Sequence, residues 1–360
     1  MSLGVRVRNT NTAAATLVTG GTGLIGGEVI LEVSRQGRRV KALVRAASEA
    51  QARERLLTRL EKSPHYRFDL LEGIDVVAGD TAQEMFGTSA GALGALDTII
   101  HCAANTQFSD MQDEEVWNTN VRGARHLVGL AQAAAPDARI VFVSTSSVVT
   151  APERSCLHED AAFAGHENTY TRSKREAEAI VQAGGLETII LRPSIVLSRG
   201  FSDRAMARSI LWAVPIMAEL GEVPIDPDAF IDLVPVDFVA KAIVRMAFKP
   251  TLRHTVYHVS AGAGANRFSE LSDAVQRINP DLRPIRAVGR HARVVNRAQK
   301  RLMRPLSSYL PFLNASVRYA NDRLVAELGL VALPAPAVSY VPDLVGFISV
   351  KEALQEMYQP

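Results

Sequence analysis

Along the first half of the chain, short apolar runs rich in β-branched residues alternate with longer segments whose apolar positions recur every three or four residues. Strands buried on both faces read as continuous apolar runs, so this alternation predicts a parallel sheet covered by helices on both sides, a doubly wound α/β fold. The expected strands are "TLVTG" (16–20), "RVKALVR" (39–45), "IDVVAGD" (74–80), "LDTIIHCAA" (96–104), "RIVFVST" (139–145) and "ETIILRP" (187–193). Helices are expected between them: "SEAQARERLLTRLEK", with Leu56, Leu57 and Leu60 on one face, "VWNTNVRGARHLVGLAQAA", and "NTYTRSKREAEAIVQAGG". Beyond Pro193 the pattern loosens into an apolar helix interrupted at Pro215, a second helix "VDFVAKAIVRMAF" and a short strand "TVYHVS". The expected organisation is a loose arm over 1–15, a Rossmann-like domain over 16–200, and a mainly helical C-terminal lobe over 201–360 that interleaves with it in space.

The first strand runs into "TLVTGGTGLIGGEV", and its glycines admit two spacings. Gly20, Gly23 and Gly26 give G-x-x-G-x-x-G; Gly21, Gly23 and Gly26 give G-x-G-x-x-G. Either describes a strand turning tightly into a helix whose free amides receive a pyrophosphate. A mononucleotide loop would end in Gly-Lys-Ser/Thr, whereas Gly27 and Glu28 follow Gly26, so a dinucleotide is expected rather than ATP.

Composition narrows the picture further. The chain has 360 residues, 47% of them hydrophobic, and a net charge of +2, so no global field directs it to nucleic acid. Two cysteines, Cys102 and Cys156, are too few for a disulfide framework and lack metal-ligand spacing. No apolar run reaches the roughly 18 residues of a membrane span, and a reducing cytoplasm is the expected compartment.

Arg45 closes the second strand near the place where a carboxylate would hold the ribose hydroxyls of NAD. A guanidinium there suits a 2′-phosphate and favours NADPH, with Arg55 assisting; a solvated Arg at a strand end is the alternative. Asp80, followed by Thr81, ends the third strand, where it can accept the adenine amino group or simply form a turn. Tyr170 and Lys174 stand four apart on one helix, so they face a common ligand. A neighbouring ammonium would lower the phenol pKa and fit Tyr170 for proton transfer. Ser144, Thr145, Ser146 and Ser147 crowd the carboxyl end of the fifth strand, where a hydroxyl can donate to a substrate carbonyl.

Glycine loop, hydroxyl-bearing strand end and Tyr-x-x-x-Lys, in that order, resemble the extended short-chain dehydrogenase/reductase superfamily over about residues 16–264. The resemblance implies that Tyr170 donates the proton, that Lys174 holds the nicotinamide ribose, and that Thr145, three residues before Val148, orients the carbonyl. Ser144 and Ser146 remain possible substitutes for Thr145. By the same resemblance Asn120 supports the lysine, and Gly20, Thr22, Gly23, Leu24, Ile25 and Gly26 cradle the cofactor. Cys102, Ala103 and Ala104 pass beneath it, and Arg192, Pro193, Ser194 and Ile195 flank the nicotinamide. Sugar-nucleotide dehydratases have Asp-Glu after the active Thr, where this chain has Ser146 and Ser147, so dehydration is disfavoured. "VKALVRAASEAQARERLLTRL" and "FIDLVPVDFVAKAIV" followed by "TVYHVSAG" resemble a narrower group, the fatty acyl-CoA reductases and thioester-reductase domains. That group implies NADPH-dependent reduction of an acyl thioester, on CoA or a carrier protein, to an aldehyde or on to an alcohol.

Met206, Ile210, Trp212, Ile216 and Met217 are expected either to line an acyl pocket or to pack as ordinary core. From Arg283 to Arg304 there is no acidic residue. Arg283, Arg286, Arg290, Arg293, Arg297, Lys300 and Arg304 recur at steps of three and four beside Ile285, Val288, Ala292, Val295 and Leu302. This predicts an amphipathic basic helix, either a solvated face or a dock for an acidic carrier protein or an anionic membrane surface. The competing readings are a dehydrogenase or epimerase acting on a sugar nucleotide or hydroxysteroid-like substrate, and a non-catalytic NADP sensor. The sensor has no need of Tyr170 and Lys174 together.

Overall fold

A computed structural model describes residues 14–108, 113–149, 155–163, 168–198, 210–292, 297–329 and 333–345. Seven strands form its main sheet: β1 (Ala15–Thr19), β2 (Val40–Val44), β3 (Ile74–Ala78), β4 (Leu96–His101), β5 (Arg139–Val143), β6 (Thr188–Pro193) and β7 (Val256–Val259). Their spatial order is β7-β6-β5-β4-β1-β2-β3, and every pairing is parallel. Chain order reverses beside β1, between its neighbours β2 and β4, and ligands of such folds sit in the crevice at the carboxyl ends there.

Successive strand residues point to opposite faces, and each face has its own core. Val18, Ile100, Val141 and Leu191 meet α1 (Leu24–Arg35) and α2 (Glu49–Leu60) on one side. Leu17, Ile99, Phe142 and Ile190 meet α3 (Gly123–Ala134) and α4 (Thr169–Ala183) on the other. In α2, Leu56 and Leu60 are buried and Leu57 is half-buried, and Ser48 caps the helix by accepting from the Gln51 amide. Most of the expected arm, residues 1–13, lies outside the described residues, but Ala15 already belongs to β1.

Two segments beyond residue 200 return to this sheet. Helix α6 (Val236–Phe248) packs on α1, and β7 adds the edge strand next to β6. A separate apolar core forms the remaining lobe around α5 (Ala213–Leu220) and α7 (Phe268–Ile278). Pro215 does not interrupt its helix: α5 begins at Ala213, so the proline sits in the first turn, where a missing N–H costs nothing.

The expected basic helix is not formed. Arg286–Ala287 is a strand paired in parallel with Glu222–Val223, and among the described residues of this stretch only Arg297–Met303 is helical. Pro284 has no amide to give a helix, and Gly289 takes φ +84°, so the chain turns where the charge period asks for continuity. Arg283 donates to the Glu219 carbonyl at 2.9 Å. Arg286, Arg290, Lys300 and Arg304 are exposed without sharing one helical face, and Arg293 and Val295 lie outside the described residues.

Candidate active site

The glycine loop is shaped first by its own chain. Gly20 has φ +72°, and a Cβ there would stand 2.7 Å from the Ala103 amide nitrogen. A Cβ on Gly26 would stand 2.2 Å from the Gly20 carbonyl oxygen, which also accepts the Gly23 amide at 2.9 Å. The spacing that governs close approach is therefore 20, 23, 26; Gly21 instead packs toward Ile30 and Leu56. Helix α1 starts at Leu24 with Gly23 as N-cap and no side chain capping it. Thr22, Leu24 and Ile25 are half-buried on this turn, which leaves the helix amides to an anion. A dinucleotide pyrophosphate fits that cradle.

Sequence reasoning missed what holds the cradle from below. Arg59 donates from Nε to the Gly23 carbonyl at 3.0 Å and from Nη2 to that of Leu24 at 2.9 Å, and pairs with buried Glu28 at 3.2 Å. Ser63 donates to the other Glu28 oxygen at 2.8 Å. This network fixes the first turn of α1, with the Arg59 charge balanced by Glu28.

Arg45 is exposed directly beyond β2, and Arg55 of α2 donates to its backbone carbonyl, so the structure brings the two cations together. Asp80 forms a turn: its carboxylate accepts the Ala82 amide at 2.9 Å. Thr81 is buried, with its carbonyl 3.1 Å from His126 Nδ1.

Beneath the loop after β4 lies a second unanticipated feature, His101. It is buried between the rings of Phe86 and Phe142, and burial first, then Lys174, holds its pKa down at about 3, so it is neutral. Its Nδ1 lies 3.0 Å from the Thr19 hydroxyl, whose oxygen accepts the Ala103 amide at 3.2 Å. Cys102 and Ala104 flank Ala103 in this half-buried stretch. Burial pushes the Cys102 thiol up to about 12, which leaves it protonated.

Asn120 lies in a π-helical turn, Asn118–Arg122, between Asp113–Trp117 and α3. The extra residue per turn aims its amide inward. Asn120 donates to the Asn105 carbonyl and to the Ser173 hydroxyl, each at 2.9 Å, and accepts the Asn105 amide at 2.9 Å. It thereby ties the post-β4 loop to α4 one residue before Lys174.

Helix α4 is held at its start by a reciprocal Asn168–Thr171 capping box, and it presents Tyr170, Lys174 and Glu178 at successive turns. The Thr145 hydroxyl neighbours the Tyr170 phenol and favours its ionised form. Thr145 accepts the Ser147 amide at 3.2 Å, whereas the Ser146 and Ser147 hydroxyls neighbour the Tyr319 phenol. Among the strand-end hydroxyls Thr145 thus faces Tyr170.

The expected lowering of the Tyr170 pKa by Lys174 is not what the site does. Burial pushes the phenol up to about 12, against the opposing influence of the neighbouring Thr145 hydroxyl. The Lys174 ammonium instead donates to the Val143 carbonyl at 2.9 Å and lies 4.2 Å from the Phe142 ring centre. Burial lowers Lys174 to about 8; Glu178 and then Cys102 act against that shift.

Arg192 does not project toward a ligand. It is bidentate to Glu178, at 2.9 and 2.6 Å, and donates to the Glu159 carbonyl at 2.8 Å. Its expected cofactor contact gives way to a buried ion pair that leaves its donors engaged within the protein. Pro193 ends β6 opposite Val259, the Ser194 hydroxyl neighbours buried Asp232, and the Ile195 amide donates to the Asp232 carbonyl at 3.1 Å.

Over 266 residues the chain is 28% identical to the nonribosomal peptide synthetase asaC of Aspergillus flavus, an alignment covering 67% of this chain and 26% of that protein. The chain thus spans about a quarter of that relative. The crystal structure of the terminal R domain from the myxalamid PKS-NRPS biosynthetic pathway superposes with a TM-score of 0.79 at 23% identity, covering 97% of this chain and 93% of that one. A thiolation-reductase di-domain from an archaeal non-ribosomal peptide synthetase superposes with a TM-score of 0.70 at 19% identity, covering 96% and 90%. Both likenesses establish the fold. Residues 18–243 match the profile of the family described as "Male sterility protein" (NAD_binding_4), and by that match the chain belongs to this family of NAD(P)-dependent reductases within the extended short-chain dehydrogenase/reductases.

Proposed function

We propose that the chain reduces an acyl group held as a thioester, on CoA or a carrier protein, to an aldehyde or on to an alcohol, with NADPH as reductant. The observation that carries this reading is the placing of buried Tyr170 and Lys174 one turn apart on α4 beside the Thr145 hydroxyl, at the carboxyl edge of β5. The aligned relative asaC and the two superposed reductase-containing structures support the thioester as the reacting group. The di-domain favours a carrier-bound substrate.

The glycine cradle, the first turn of α1 and the stretch Cys102–Ala104 would hold the dinucleotide, and Arg45 with Arg55 would receive the 2′-phosphate. When bound, NADPH supplies the hydride. Tyr170, held protonated by burial, is poised to donate rather than accept a proton, which suits the reducing direction. Thr145 donates to the carbonyl oxygen as charge gathers there, and Lys174 supplies a fixed positive charge nearby. Collapse of the resulting hemithioacetal breaks the C–S bond; the sulfur leaves as thiol after taking a proton, and the aldehyde remains.

The test is a panel of acyl-CoA, acyl-carrier, free aldehyde and UDP-sugar substrates with NADPH or NADH, following nucleotide oxidation together with thiol release. Turnover of UDP-sugars without thiol release would favour the dehydrogenase or epimerase alternative. Cofactor choice has its own prediction: Arg45→Ala should weaken NADPH roughly tenfold or more while leaving NADH nearly unchanged, since one charge-assisted contact is lost. Equal weakening of both, measured by titration, would remove Arg45 from that role. The lysine also makes a prediction. Glu178 holds the Lys174 pKa up, so Glu178→Gln should move the alkaline limb of the kcat–pH profile to lower pH. A limb that stays in place would show that Lys174 need not be protonated during turnover.

A further inference from the structure

Between α5, α7 and the end of the sheet lies a cavity of ≈ 630 Å³, its open mouth included. Ile195, Met217, Phe268, Leu271, Val275 and Leu313 are among the side chains lining it. None of the lining residues is charged, and the hydroxyl of Ser272 is spent on the Ile285 carbonyl at 2.8 Å. Of the pocket expected from the sequence, Ile210 and Met217 do line this cavity. Ile216 is buried in the lobe's core, Trp212 turns its ring edge to Tyr309 at 5.5 Å, and Met206 lies outside the described residues.

Packed aromatic rings lie between the catalytic tyrosine and the wall of this cavity. Phe108, in the loop that Asn120 anchors, has its ring centre 5.3 Å from that of Tyr170. Phe108 then meets Phe312 edge-on at 5.1 Å and stacks on Tyr309 at 4.8 Å. Phe312 adjoins Leu313 in the cavity wall, and on the sheet side Ile195 directly follows Ser194 at the end of β6. The side chains packed between Tyr170 and the cavity wall are therefore apolar and aromatic, and the cavity itself has no charged lining residue.

We infer that this cavity holds the hydrocarbon tail of the substrate, so that the acyl group reduced here is alkyl-tailed rather than charged or peptide-like. The inference rests on the thioester reading for the identity of the reacting head. A carboxylate or ammonium carried into the cavity would lose its hydration and find no compensating group, whereas each buried methylene gains.

Two measurements test it. Across acetyl, butanoyl, hexanoyl and octanoyl thioesters, kcat/KM should rise by about fourfold for each methylene that becomes buried. The hexanoyl thioester should exceed the adipoyl thioester, which has the same length and a terminal carboxylate, by roughly a hundredfold. Val214 also lines the cavity and is half-buried. Val214→Phe should collapse the octanoyl-to-acetyl ratio, and Val214→Ala should shift the preference toward longer tails. Independently of any reduction, cis-parinaric acid should gain fluorescence on binding wild type, be displaced by dodecanoate, and lose affinity in Val214→Phe. Parinarate binding of this kind with no thioester reduced would overturn the thioester reading while upholding the hydrocarbon site. Thioesters reduced without regard to tail, with parinarate binding indifferent to Val214→Phe, would overturn the hydrocarbon site and leave the thioester reading standing.

Discussion

Tyr170→Phe should cut kcat by about 10²–10⁴-fold while nucleotide affinity stays within a few-fold of wild type. The ring stays in place beside Phe108, and only the hydroxyl that meets Thr145 is removed. The substitution therefore removes the transferable proton without opening a cavity. Lys174→Ala should differ in kind. It removes a buried ammonium, orphans the Val143 carbonyl and leaves Glu178 with Arg192 alone, so it should weaken nucleotide binding as well as turnover. Isothermal titration of NADPH beside steady-state kinetics separates the two. Steady-state turnover retained in Tyr170→Phe would exclude the phenol as the essential acid.

The second large effect is expected at a methyl group. Gly26→Ala places a Cβ 2.2 Å from the Gly20 carbonyl oxygen, and both partners of that clash are backbone. Neither can rotate away, so the loop must open, and the α1 amides lose their aim at the pyrophosphate. Nucleotide binding should fall below detection by titration, while the sheet, whose cores do not include Gly26, keeps its far-UV circular dichroism. Gly129→Ala serves as the control, because a Cβ there meets nothing within 4 Å. Wild-type affinity in Gly26→Ala would mean that this close approach is not what shapes the cofactor loop.

The sheet was legible because its strands are buried on both faces and leave unbroken apolar runs in the sequence. The cavity-forming lobe was less so, since its helices are short and its walls come from residues as far apart as Ile195 and Val341. Tyr170 and Lys174 could be found by their spacing, whereas the strand end offered four hydroxyls and only the family resemblance, through Val148, singled out Thr145. Their supports could not. Glu178 reads as one more charge on a polar helix until Arg192 is folded against it, and Arg59 reads as solvated until the first turn of α1 lies over it. Glu178 stands one further turn from Lys174 on the same face, the one signal that pointed to it. The basic stretch shows the opposite failure: its charge period suited a helix, but Pro284, Gly289 and the pairing of Arg286–Ala287 with Glu222–Val223 decided the backbone. The phenol was misjudged because the sequence shows a neighbouring ammonium but not how deeply the hydroxyl is buried.

The central claim, hydride transfer to a thioester carbonyl, is tested most directly by isotope. The enzyme is given NADPH deuterated at the transferable C4 position together with an octanoyl thioester, and the products are identified by mass spectrometry while free thiol is titrated. The account predicts deuterium at C1 of octanal or octanol and one thiol released per acyl group reduced. Oxidation of the nucleotide with the thioester recovered intact and no deuterium in any acyl product would contradict it.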